Sequence, residues 1–381
     1  GLDRFDQISL RHRGVVDVEA GIEEFAHAGF HDVRQAARDI ALPDDFWNWS
    51  LPERRAWFVK EVMVHHVPRE ILPGDLLAGA RFNLQTSLCL TESEQKSFDT
   101  ALLGRNGARS RMKWFHDHGY GNTGATSGHL VPDHAMALKN GWRGIHADLS
   151  DRYDKLSQSD REGPRGAQLR AMMTAATMPR ELAAAYSTLC RRLANEASDQ
   201  ERRQELRRMA THLEHVPWEP PRTFWEAVQA LWLNHMLIMS DENYPGPGVS
   251  FGRIDQYLLP YWETSLKEGM DREFGKEILK CFWVHANTAY DAMIRNGNQG
   301  ITAGFGQLLC LSGMGPEGTD MTNDLTYALL EVVDEMSPIL EPKPNVRLHR
   351  NSPDTLMDKV VDMIGSSQGA PFLLNFDERS M

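Results

Sequence analysis

The sequence predicts a helix-rich α/β fold, and three observations carry that prediction. At 381 residues, with 41% hydrophobic and 25% charged side chains, the chain has ordinary globular usage and can bury a large core. Segments of helical spacing alternate with short apolar runs bounded by glycine and proline. No internal repeat or low-complexity linker divides the chain, which is long enough for one large core or for two to three ordinary domains. Within it, 1–150 form a helical entry and a Gly-rich loop, and 151–381 form outer helices and strands.

The elements follow in order. "LPERRAWFVKEVMVHHV" (51–67) places Ala56, Phe58, Val59, Val62, Met63 and Val67 near one helical face, and Pro73-Gly74 then turns the chain. Residues 165–215 read as an outer-layer helix pair interrupted at Pro179, with Leu182, Tyr186, Leu189, Cys190 and Leu193 on one face. "PRTFWEAVQALWLNHMLIM" has Pro221 and Thr223 as start signals and is apolar nearly all round, which predicts a core helix. "ENYPGPGVSFGRIDQYLLPYWETSLKEG" opens with turn residues and returns to a helical pattern. "GITAGFGQLLCLSG" reads as a buried strand and a Gly-rich turn. A helix ("NDLTYALLEVVDEM"), a strand ("KPNVRLH"), a helix ("SPDTLMDKVVDMI") and a strand expected to be buried ("APFLLNF") complete the chain, and "DERSM" reads as a polar exit.

Composition excludes several function classes. A formal net charge of −12 argues against affinity for phosphate backbones or anionic lipid, so neither nucleic acid nor membrane is an expected partner. The N-terminal "GLDRFDQISLRHRG" carries charges where a secretory segment needs its apolar stretch, and no apolar run approaches the roughly 20 residues of a membrane helix. A cytoplasmic location is expected. Cys89, Cys190, Cys281 and Cys310 lie far apart without a C-x-x-C pair, which predicts reduced, structural thiols.

The common catalytic signatures are absent: there is no G-x-S-x-G, P-loop, H-E-x-x-H or strand-to-helix G-x-G-x-x-G. His116 and His118 in "FHDHGYG" lack a third ligand nearby and read as polar loop histidines, and no metal site is expected. Two stretches carry more. In "YGNTGATSGHLVPDHAMALKNGWRGI" (120–145) glycines permit close backbone approach, so His129 is either presented at a cavity mouth or caps the helix begun by "VPDH". In "PGPGVSFGRIDQYLLPYWE" (245–263) Ser250 lies on an extended segment, and Arg253 and Asp255 are close enough to pair or to hold neighbouring backbone.

These stretches, in this order, resemble the glycyl radical enzymes, the pyruvate formate-lyase-like family. The matching pieces are "GHLVPDHAMALKNGWRGI", "VPWEPPRTFWEAVQALWLNH", "SFGRIDQYLLPYWETSLKEG", "LSGMGPEGTDMTNDLTYALLEV" and "EPKPNVRLHRNSPDTL". Within the family, "ILPGDLLAGARFNLQTSLCL" and "YGNTGATSGH" look most like the branch of benzylsuccinate synthases and arylacetate decarboxylases. The resemblance implies a ten-stranded α/β barrel of two five-stranded halves ringed by helices, of which this chain holds the first half-barrel. A stored glycyl radical there takes a hydrogen atom from a cysteine on an interior loop, and the thiyl radical then attacks substrate. The radical is installed by a separate iron–sulfur activating enzyme that uses S-adenosylmethionine, so no cofactor is expected to bind this chain directly. The resemblance also places His129, Ser250 and Phe305 against a small-molecule substrate, with Gly128, Arg253 and Asp255 as scaffold of the pocket loops.

The family's Gly-Cys-x-Glu-like loop and Arg-Val-x-Gly-like motif do not occur. The expectation is therefore a single, incomplete pyruvate formate-lyase-like domain: the N-terminal portion of a radical lyase, decarboxylase or C–C bond-forming enzyme. No catalytic residue is assigned, and the chain is expected to be inactive alone and to need a C-terminal half in trans. A half-barrel with an unpaired strand edge is expected to self-associate. The alternative is a catalytically silent binding or assembly protein that keeps half the fold.

Overall fold

The computed structural model describes residues 30–32, 40–66, 69–71, 73–79, 81–83, 89–104, 107–120, 130–241, 249–288, 307–336, 342–366 and 373–380. Two short strands, β1 (Phe30–Asp32) and β2 (Arg81–Asn83), pair in parallel. Between them lies α1 (Leu51–Glu61), which has Pro52 in its first turn and runs on as a wider turn through Val62–His66. Phe58, Val59, Val62 and Met63 are buried on its apolar face. The chain then turns at Pro73-Gly74 as the sequence predicts.

Helix starts obey local chemistry. Helix α2 (Glu92–Leu103) begins with a capping box between Thr91 and Glu94, and α3 (Ala108–Asp117) follows it. His116 thus lies in the last turn of a helix, and His118 in the turn that follows it. Helix α4 (His134–Asp154) starts where "VPDH" predicts, with the Asp133 side chain accepting the Met136 N–H at 2.9 Å. After the short α5 (Gln158–Glu162), α6 (Pro164–Glu196) and α7 (Gln200–His215) form a helix pair, divided at 197–199 rather than at Pro179. Pro179 does not interrupt α6. The ring is buried in a helix packed along α1, α4 and α7, and that packing offsets the ~3 kcal/mol an interior proline costs.

Helix α8 (Phe224–Asp241) is the centre of the fold, with every residue buried except Ile238 and Asp241. It packs on α4, α6 and α7 and on α11 (Arg272–Thr288), which follows the short α9 (Ile254–Tyr257) and α10 (Leu259–Lys267). Close approach to α8 explains Gly79: its φ is +136°, and a Cβ there would stand 2.6 Å from Trp232 Nε1.

A three-stranded sheet follows, and His235 of α8 meets Gln307, just before its first strand, at 2.8 Å. Strands β3 (Leu308–Ser312), β4 (Lys343–Leu348) and β5 (Leu373–Phe376) run parallel in that order, joined through α12 (Asp324–Glu335) and α13 (Asp354–Ser366), and α14 (Asp377–Ser380) ends the described chain. Two parallel bridges extend it: Gly252 pairs with Leu309, and Val249 pairs with Leu130. Five extended segments therefore stand side by side in parallel, as half of a parallel α/β barrel requires. One difference from the sequence reading is β5, where Leu373 is 41% and Phe376 48% exposed. Its apolar residues read as buried, but β5 pairs only with β4 among the described residues, so one edge is uncovered.

Candidate functional site

Alternation along the strands separates a dry face from an open one. Leu309, Leu311, Val346 and Leu348 are buried toward the helices, whereas Cys310, Asn345 and Arg347 are half-buried on the other side. Register aligns Cys310, Asn345 and Leu373 across the sheet, and Ser312, Arg347 and Asn375 one step further along. Asn375 Nδ2 donates to Asn345 Oδ1 at 2.6 Å, and Asn345 Nδ2 lies 4.0 Å from Cys310 Sγ. A thiol and two amides thus form a polar row on the open face, next to the charged Arg347.

The loops at the strand ends are pinned by two carboxylates. Asp255, fully buried, accepts the Ser312 N–H at 2.6 Å and the Thr326 hydroxyl at 2.7 Å, and burial pushes its pKa up against those bonds. Arg253 donates to the Ser312 and Met314 carbonyls at 2.7 and 3.3 Å. Together they hold Ser312 at φ +56°, a left-handed conformation that a serine keeps only when its surroundings over-determine it. Asp377, also fully buried, accepts the Met314 N–H at 2.6 Å and Arg347 Nε at 2.8 Å. Beside it, His349 Nε2 meets Asp320 Oδ1 at 3.0 Å.

The residues singled out in the sequence fall in different places. Ser250 is half-buried between the buried Val249 and Phe251, so alternation assigns it to the open face; its N–H bonds the Leu130 carbonyl at 2.9 Å. Arg253 and Asp255 bond backbone on the adjoining loop. Gly128, His129 and Phe305 lie outside the described residues. Sequence reasoning missed Asn345, Asn375 and Asp377. The polar alternation in "KPNVRL" was a signal for the first, while nothing in "DERSM" marks a buried acid. None of the four cysteines is in a disulfide. Burial raises the Cys310 thiol and pushes Cys89 and Cys190 to about 12, so these sulfurs stay protonated at neutral pH and are poor nucleophiles. No group of metal-ligating side chains occurs among the described residues, and no helix there is long and apolar enough to cross a membrane.

A parallel half-sheet with helices on one face and a polar row on the other defines an α/β barrel wall. Comparison with known proteins identifies which barrel. The pyruvate formate lyase-like family model matches residues 115–379, well over half the chain. The isethionate sulfite-lyase of Desulfovibrio desulfuricans is 33% identical over 260 residues, covering 65% of this chain and 30% of that protein. The (2S)-3-sulfopropanediol dehydratase of Klebsiella oxytoca is 32% identical over 260 residues, covering 66% and 30%. The crystal structure of a glycyl radical enzyme from Archaeoglobus fulgidus superposes with a TM-score of 0.71 at 26% identity, over 86% of this chain and 47% of that one. The chain belongs to the pyruvate formate lyase-like family, the glycyl radical enzymes. It spans about 30% of the length of the curated relatives it matches and just under half of the solved enzyme.

Proposed function

We propose that this chain builds one wall of the substrate chamber in a cytoplasmic glycyl radical enzyme of the lyase or dehydratase type, and that polypeptide outside these 381 residues supplies the radical-carrying cysteine and glycine. The observation that carries the reading is the polar row of Cys310, Asn345 and Asn375 on the open face of a parallel half-sheet. Amides there can donate to, and accept from, the hydroxyl and carbonyl oxygens of a small hydroxylated substrate, which is the kind of molecule the two sulfonate-processing relatives are named for. Ser250 shares that face by alternation, and His129 and Phe305 would complete the wall by family resemblance, with Gly128, Arg253 and Asp255 holding its loops. The chain's own part in the chemistry is to bind and orient substrate and to exclude water and oxygen.

The radical itself would be installed by an S-adenosylmethionine-dependent activating enzyme acting on the complete protein. The test has two arms under anaerobic conditions. The 381-residue chain, incubated with an activating enzyme and S-adenosylmethionine, is expected to give no glycyl radical doublet by electron paramagnetic resonance, and a doublet from this chain alone would overturn the reading. In the activated full-length enzyme, Asn345→Ala and His129→Ala are each expected to raise KM about tenfold, as loss of one buried substrate hydrogen bond implies, with radical yield unchanged. Unaltered KM in both would remove the wall assignment.

A further inference from the structure

On the open face of the sheet, Arg347 is held from three directions. Strand pairing sets it between Ser312 of β3 and Asn375 of β5, and the Ser312 hydroxyl donates to its main-chain carbonyl at 2.6 Å. Gly313 makes room for the side chain: its φ is +87°, and a Cβ there would stand 2.7 Å from Arg347 Cβ and 3.2 Å from Nε. Asp377 Oδ1 then accepts the Nε–H at 2.8 Å.

That arrangement leaves the far side of the guanidinium unused. Asp377 Oδ2 accepts the Met314 N–H at 2.6 Å, so the carboxylate grips Arg347 through one oxygen only. Among the described residues no acceptor meets Arg347 Nη1 or Nη2. Arg253, at the same strand end, is the contrast, because its two terminal nitrogens donate to the Met314 and Ser312 carbonyls. The Arg347 side chain is 22% exposed and that of Asp377 is 0% exposed, so a ligand can reach the first and not the second.

Terminal guanidinium N–H bonds form a flat fork that matches two oxygens of one carboxylate or sulfonate. With Nε tied and the stem against Gly313, the plane of the fork is set before a ligand arrives, which lowers the ordering cost of binding. Asn345 lies two residues earlier on the same face, about 6.6 Å along the strand. A short hydroxy acid can bridge that gap.

We propose that Arg347 Nη1 and Nη2 bind the carboxylate or sulfonate of a small hydroxy acid whose hydroxyl meets Asn345, with Asp377 as the positioning residue behind the fork. The inference rests on the reading of this face as a substrate wall. Binding is non-covalent and needs no radical, so it is measured on the resting, unactivated full-length protein and can fail while radical chemistry is observed, or hold where none is.

Phenylglyoxal condenses with the terminal nitrogens of arginine and therefore reports on the fork directly. Mapping by mass spectrometry is expected to find Arg347 modified and Arg253 spared. The probes 3-hydroxypropanoate and 2-hydroxyethanesulfonate are compared with the uncharged 3-hydroxypropanamide. At least one acid should protect Arg347 at about tenfold lower concentration than the amide, as a charge-assisted bond implies, and the stronger of the two names the oxyanion. Asp377→Asn keeps an acceptor for the Met314 N–H and should narrow that tenfold ratio without altering protection by the amide, a split that general loosening would not give. The comparison of acid with amide needs no variant. Equal protection by acids and amide would overturn the proposal. So would an Arg347 that resists phenylglyoxal without ligand, since another part of the protein would then already occupy the fork.

Discussion

Burying an imidazole among other rings fixes its protonation state, and His134 is such a case. It is 2% exposed, its ring lies 6.2 Å from Phe251 and 6.3 Å from both His235 and Tyr257, and burial holds its pKa down at about 4 against a normal 6.5. The neutral ring belongs to the folded state, so its contribution to stability is complete above pH 6.5 and is lost as pH falls through 4. The loss is on the order of 3 kcal/mol. His212, also lowered to about 4 by burial, acts in the same direction. Urea midpoints measured from pH 7 to pH 4.5 should therefore fall in the wild type, and His134→Phe should flatten about half of that fall. An unchanged slope would show that His134 is charged in the fold. At this scale the sequence was legible where one residue does one local job, as Asp133 does in opening α4. It was silent on Asn375 and Asp377, whose partners lie 30 or more positions away. Side-chain pairing across a sheet depends on register, and register is not written in either strand alone.

Among the elements, α12 has the most interconnected start. The Asn323 side chain accepts the Thr326 N–H at 3.0 Å and donates to the Asp255 carbonyl at 3.1 Å, while the Asn323 backbone N–H donates to the Thr326 hydroxyl at 3.2 Å to complete a capping box. Thr91 caps α2 by the same box, and although Glu94 also pairs with Arg54, the Thr91 side chain itself bonds only the neighbouring Ser93 and Glu94. Asn323→Ala should cost about 2 kcal/mol and Thr91→Ala about 1 kcal/mol, read as urea midpoints at constant m. Equal costs would mean that the tertiary bond to Asp255 contributes nothing. Helix periodicity made α1, α6, α7 and α8 readable from the sequence. It could not foresee that α6 passes through Pro179 or that α4 breaks at Gly141, because tertiary packing decides both.

For the whole molecule, the relevant fact is a parallel sheet with one edge unpaired among the described residues and apolar side chains at that edge. Phe376→Lys places a charge on the exposed edge and is expected to reduce concentration-dependent self-association of the 381-residue chain in sedimentation velocity. A variant that associates like the wild type would locate the contact elsewhere. The architecture was legible as alternating helices and short strands, and the family as five ordered pieces of sequence. Which strand face is open was not, because "APFLLNF" is equally apolar whether or not anything covers it.

The buried carboxylate of Asp377 also sets an electrostatic condition on the open face of the sheet. By holding Arg347 Nε at 2.8 Å, it neutralises a guanidinium beside the polar row before any ligand arrives. Under the reading proposed above, Arg347 would therefore meet a ligand as half of an ion pair rather than as a free cation.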